Sequence, residues 1–173
     1  MQPEFSRPTR MPLEARRLHL VATPAECAAL ALRFGILGIA RFTADLALTP
    51  ETGGALRVAG RLEAEVRQEC VVSLDPVVQR IAASIVLRVL NEGEMPADVD
   101  PESPDEIESH KGMVDLGEAC AEQLALALDP YPRHPDAALP AALTPPPEIV
   151  ETTAPAPERK VHPFAALAQR KRP

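Results

Sequence analysis

Strict alternation of apolar and polar side chains from Leu56 to Leu74, and again from Ile81 to Val89, identifies half-buried antiparallel strands. Helix-start signatures at Thr23 and Asp115 bracket these strands. Together they predict an α+β domain: an antiparallel sheet of at least three strands, covered by two amphipathic helices. The strands form a meander, either open or closed in a barrel-like way. A single domain is expected over residues 1–135, followed by a disordered tail over 136–173.

The first helix runs from about Pro24 to Phe34. Thr23 is its N-cap, Pro24 suits the first helical position, Glu26 completes a capping box, and Gly35 provides the stop. Cys27, Leu30, Ala31 and Phe34 recur at i, i+3, i+4 and i+7, so they share one face, which should be buried.

A strand follows from Phe42 to Leu48, with Phe42, Ala44, Leu46 and Leu48 on one side, and the turn Pro50 to Gly54 ends it. In the next strand Leu56, Val58, Leu62, Ala64, Val66, Cys70, Val72 and Leu74 line one face, joined by Gly60 and Gln68. Arg57, Arg61, Glu63, Glu65, Arg67 and Glu69 line the other. Gly60 inside so long a strand suggests a bulge or bend. After Asp75-Pro76 turns the chain, Ile81, Ala83, Ile85, Leu87 and Val89 continue the apolar face, opposite Arg80, Ser84 and Arg88.

Residues 91–113 are rich in Asp, Glu and Pro and lack apolar periodicity, so they are expected to form an acidic mobile loop. The second helix starts at Asp115, with Glu118 three residues on. Leu116, Cys120, Leu124 and Leu128 form its stripe, and Pro130 ends it. Pro and Ala dominate from Asp136 onward. Within that tail, His162 to Arg172 can form a short helix that docks on a partner through Phe164 and Leu167.

Composition narrows the function classes. With no Trp and one Tyr among 173 residues, the core must be built from Ala, Leu, Val and Ile. No apolar run approaches the ~20 residues that span a bilayer, and no signal-peptide pattern opens the chain, so a cytoplasmic protein without a membrane partner is expected. Three widely separated cysteines do not form a disulfide framework. Residues 93–129 carry 11 acidic groups and 1 basic one, within a formal net charge of −7. That balance argues against an autonomous binder of naked RNA; the acidic middle is either a solvated segment or a surface for basic proteins.

No constellation points to a reaction. Cys70 falls on the apolar face between Val66 and Leu74 without a sequence-adjacent base, so it is read as a small buried hydrophobe, with a thiol enzyme as the weaker alternative. Metal-ligand spacings and phosphate-binding glycine loops are absent from the sequence, so no metal, cofactor or small-molecule substrate is expected. Glu63 and Glu65, interleaved with Arg61 and Arg67, suit cross-strand ion pairs. The same face offers Arg57, Arg61 and Arg67 as candidate RNA contacts through phosphate. Tyr131, between Pro130 and Pro132 with Arg133 adjacent, either stacks on a partner or packs over the sheet.

Two motifs carry a resemblance to a known family: QECVVSLDPV at Gln68 to Val77, including Cys70 and Asp75, and DLGEACAEQLALALDPYPRHP at Asp115 to Pro135, including Leu116, Gly117 and Glu118. The terminal PFAAL at Pro163 to Leu167 is also similar. From about Thr23 to Pro135 the chain resembles the bacterial YceD family, named for accumulation of large-subunit ribosomal RNA. The resemblance implies a small, non-catalytic ribosome-biogenesis factor whose partner is that RNA or an early ribosomal protein complex. Many relatives carry a second cysteine shortly after the first, where this chain has Val71, Val72 and Ser73. The alternative is an interaction adaptor unrelated to ribosomes.

Overall fold

The computed structural model describes residues 4–94 and 103–138. Chain contacts separate a unit Met1–Ala138 from a unit Leu139–Pro173. The tail helix expected at 162–172, with Phe164 and Leu167, lies outside the described residues.

Among the described residues, nine helices and strands follow one another: β1 (Pro8–Arg10), β2 (Arg16–Val21), α1 (Pro24–Phe34), β3 (Gly38–Pro50), β4 (Leu56–Glu69), β5 (Pro76–Leu90), β6 (Asp105–Glu108), β7 (Met113–Asp115) and α2 (Leu116–Ala127). A 3-10 turn, Thr52–Gly54, links β3 to β4. The main sheet has the order β2-β3-β4-β5-β6, and β1 pairs with β7 in a separate ribbon. The sheet is open, with β2 and β6 at its edges, so of the two arrangements the sequence allowed, open or barrel-like, it adopts the open one. Nor is it wholly antiparallel: β6 pairs parallel with β5. The acidic loop expected at 91–113 thus contains a strand. In it Ile107, the one aliphatic residue of Asp-Glu-Ile-Glu, packs against the core while Glu106 pairs with Arg88.

Helix α1 starts as its sequence requires. Thr23 Oγ1 accepts the Glu26 amide at 3.3 Å, the Glu26 carboxylate accepts the Thr23 amide at 2.7 Å, and Gly35 closes the helix at φ 66°. Its buried face, Cys27, Leu30 and Ala31, joins Leu116, Ala119, Cys120 and Leu124 of α2 on the inner side of the sheet. Phe5 and Phe42 meet at the centre with ring centroids 5.1 Å apart, so an aromatic pair sits within the aliphatic core.

Gly60 does not mark a bulge. The register runs through it without a shift, and the irregularity lies at Ala40, between Ile39 and Arg41 of β3. Glycine is needed because the strands approach closely: a Cβ at Gly60 would stand 2.0 Å from the Asp45 carbonyl oxygen.

The N-terminal residues clamp both helices. Asp115 caps α2 through the amides of Gly117 and Glu118, each at 3.1 Å, and also accepts the Arg7 amide at 2.7 Å and the Ser6 hydroxyl. Arg7 reaches Glu26 of α1 at 2.7 Å, and Arg33 of α1 reaches Glu118 of α2 at 2.6 Å. A Cβ on Gly117 would lie 2.2 Å from the Phe5 carbonyl, so only glycine lets the N-terminal strap lie flat on α2.

Asp115→Ala removes a helix cap worth ~1 kcal/mol and leaves the Arg7 amide unpaired, so a loss of about 2–3 kcal/mol is expected in urea denaturation. Gly117→Ala should cost about 1–3 kcal/mol by overpacking. Arg7 and the Thr23 amide hold the Glu26 carboxyl at about 2. A carboxylate so depressed stabilises the fold fully above its unfolded value of about 4.3, and that stabilisation is lost as pH falls toward 2. Glu26→Gln should therefore flatten the stability-versus-pH curve below about pH 4.5, read by acid titration of the unfolding midpoint.

Candidate functional site

Residues 129–134 are fastened to the β4–β5 turn. Strand β4 stops at Glu69, and Cys70 to Asp75 form a turn closed by bonds from the Cys70 amide to the Asp75 carbonyl at 2.9 Å and from the Leu74 amide to the Cys70 carbonyl at 3.0 Å. Gln68 donates to the Asp129 carbonyl at 3.0 Å, Gln79 to the Asp129 carboxylate at 3.2 Å, and the Val71 amide to the Pro132 carbonyl at 2.9 Å. The Asp129 carboxylate also accepts the Tyr131 amide at 2.9 Å.

Cys70 lies at the centre of this junction. It is fully buried, as expected, yet it is more than a small hydrophobe. Its sulfur accepts the amides of Val72 and Ser73 at 3.4 Å each and that of His134 at 3.2 Å. The Ser73 hydroxyl has the largest influence on the thiol. With these three amides it outweighs burial, which acts in the opposite direction, and holds the thiol at about 6. The anionic form is thus held by hydrogen bonds alone. Among the described residues no basic side chain is hydrogen-bonded to it: His134 meets the sulfur through its backbone amide, and its imidazole Nδ1 accepts the Asp136 amide at 3.3 Å. Cys27 and Cys120 are raised instead, mainly by burial, Cys120 to about 12. Among the described residues, no group of three or more His, Cys, Asp and Glu side chains is arranged to hold a metal ion.

Leu74 departs from the sequence reading. It is 67 % exposed at φ 64°, a left-handed conformation costly for a leucine, and it lies outside the strand. Tyr131 is 71 % exposed, so it does not pack over the sheet. Around them Val71 and Val78 are also exposed. Pro130 and Arg133 are exposed and Pro132 is buried.

The second candidate region is the outer face of the sheet, opposite the helices. Arg57, Arg61 and Arg67 all project there from β4 and are exposed. Glu63 pairs with Arg41 at 3.2 Å and Glu65 with Arg80 at 3.3 Å, the expected cross-strand ion pairs, and Glu63 also lies 3.7 Å from Arg61 of its own strand. Arg88 is engaged by Glu51 at 3.1 Å and Glu106 at 2.8 Å. Among the described residues, Arg57 and Arg67 have no carboxylate partner, and neither has Arg17 of β2. Arg17 carries no motif of its own in the sequence, although Leu18 and Leu20 alternating with Arg17 and His19 signal a strand. A shallow concavity lined by Ala40, Arg41, Glu63, Glu65, Arg80 and Ala82 crosses this face.

The two regions show what the motif residues do. Asp115, Leu116, Gly117 and Glu118 serve as cap, core, close-packing point and ion pair in the clamp; Gln68, Cys70 and the backbone of Asp75 hold the turn. Tyr131, Arg133 and Leu74 remain directed at solvent. Cys70→Ala, which strands three amides, should lower the melting temperature and expose the Arg133 bond to trypsin, whereas Cys70→Ser, whose hydroxyl still accepts, should do so less. A depressed thiol stabilises the fold fully above its unfolded value of about 8.5, and that contribution is lost as pH falls through about 6. The wild type should therefore gain stability over Cys70→Ser between about pH 6 and 8.5, as followed by thermal melts.

No helix among the described residues is long and apolar enough to cross a membrane. No curated protein and no solved structure matches the chain. A family model does match, over residues 58–171, a span that starts within β4, after α1 and β3, and takes in both motifs and the terminal PFAAL. Its description is large ribosomal RNA subunit accumulation protein YceD. With most of its length matched, the chain belongs to the YceD family of large ribosomal RNA subunit accumulation proteins.

Proposed function

We propose that this protein supports accumulation of large-subunit ribosomal RNA by binding alone, without catalysis, and that the outer face of its sheet meets RNA phosphates. The observation that carries this reading, beside the family, is the set of exposed guanidiniums on that face that have no carboxylate partner among the described residues. Arg57 and Arg67 lie on β4 and Arg17 on the edge strand β2, while every carboxylate of the concavity already has a partner. A guanidinium without a carboxylate retains its full fork of donors for phosphate. Among the described residues no aromatic side chain projects from this face, so backbone contact suits it better than base stacking. Cys70, whose thiol is depressed, is buried and its sulfur is already engaged, which supports a role without chemistry.

Replacing Arg57, Arg61 and Arg67 with Gln should reduce crosslinking to large-subunit RNA and lower the slope of log affinity against log salt by roughly 1 for each phosphate that is no longer neutralised. In depleted cells, the intact chain should restore the ratio of large- to small-subunit RNA and the triple variant should not. Unchanged crosslinking by the triple variant would overturn the sheet face as the contact.

A further inference from the structure

Four large apolar side chains face water at one end of the sheet: Val71 (48 % exposed), Leu74 (67 %), Val78 (63 %) and Tyr131 (71 %). Scattered exposed apolar residues need no explanation, but these belong to one hydrogen-bonded unit. Val71 and Leu74 lie in the β4–β5 turn, Val78 follows it in β5, and Tyr131 is fastened to the same turn through Val71 and Pro132. The unit is rigid where an exposed turn is ordinarily loose, because three amides converge on the Cys70 sulfur at its base. Leu74 adds a second cost. Its φ of 64° suits Gly or Asn, yet the position holds an exposed leucine. Preorganised aromatic and aliphatic anchors of this kind characterise the centre of a protein interface.

The charges around the anchors select the partner. Glu69, Asp75, Asp129 and Asp136 lie in the strand ends and segment that form the tip, against Arg133 and, toward the sheet face, Arg67. That excess of carboxylates repels nucleic acid and favours a cationic surface. We infer that this tip is a docking surface for a basic protein, which places an apolar side chain against Leu74 and Tyr131 and its cationic groups against the surrounding carboxylates. Resting on the ribosomal reading above, the protein would hold RNA on its sheet face and a basic protein of the large subunit at its tip.

The test uses the full chain with a photoreactive residue at position 131, incubated with RNA-free proteins stripped from large subunits by concentrated lithium chloride, and separately with large-subunit RNA. Crosslinks to one or a few basic proteins are expected, resistant to competition by poly-lysine. Leu74→Asn, which suits the left-handed backbone and so should melt at the same temperature or higher, should weaken that binding at least ~10-fold, as removal of an interface anchor does. The triple arginine variant should bind the same proteins as wild type, so failure of the sheet-face reading and failure of this one give different results. Crosslinks from position 131 to RNA, full competition by poly-lysine, or undiminished binding by Leu74→Asn would each overturn the inference.

Discussion

Four donors converge on the carboxylate of Asp115: the amides of Gly117 and Glu118 at the start of α2, and the Arg7 amide and Ser6 hydroxyl of the N-terminal strap. Two of those bonds make a helix cap, and the other two fix the strap across it. From the strap, the Arg7 guanidinium lies 4.5 Å from the Phe5 ring centroid and reaches Glu26, which is itself half of the α1 capping box. The starts of both helices are thereby joined through one arginine. Phe5 is carried into the core against Phe42, so the aromatic pair of the interior depends on the same anchor. Remove the carboxylate and the strap, the second helix and the centre of the core all lose a support together.

The parts of this arrangement that local chemistry fixes were legible in the sequence. The α1 capping box, the N-cap at Asp115 and the alternation through β4 and β5 depend on neighbouring residues, and the structure bears them out at those positions. What escaped depends on residues far apart in the chain. Strand β3 begins at Gly38, not Phe42, because a bulge at Ala40 shifts the inward side from odd to even positions, and Ile39 and Phe42 do not fit one period of two. Conversely, Cys70, Val72 and Leu74 continue the alternation of β4 beyond its end, although the chain has already turned. Strand β6 gave no signal because one isoleucine among three carboxylates is enough when Arg88 supplies the countercharge. The strap was silent for the same reason: Ser6 and Arg7 acquire meaning only beside Asp115, more than a hundred residues away.

The candidate sites show the same division. That Arg57, Arg61 and Arg67 share an exposed face followed from their even spacing along the strand. Which of them lack a carboxylate partner among the described residues did not, since it depends on Arg41 and Arg80 from adjacent strands taking Glu63 and Glu65. The role of Cys70 was hidden more deeply. Its burial was readable from pattern, but its three donors include an amide 64 positions onward. Ser73, three positions after Cys70, turns both its amide and its hydroxyl to the sulfur.

That tie at Cys70 bears on how a small sheet can present two surfaces of opposite character. A turn of six residues would ordinarily move independently of the segment following α2, and side chains on either would then lose affinity to the entropy of ordering them. Tying both to one sulfur removes that cost before any partner arrives. Carboxylates gather around the turn, and guanidiniums that have no carboxylate partner among the described residues lie along the sheet face. Under the proposed function, a chain of net charge −7 would meet phosphate through these few guanidiniums without becoming a general nucleic-acid binder, because repulsion from the rest of the molecule penalises every other approach. If RNA binds as proposed, the acidic composition would restrict it to that surface, so a net negative charge is compatible with membership of a family named for ribosomal RNA accumulation.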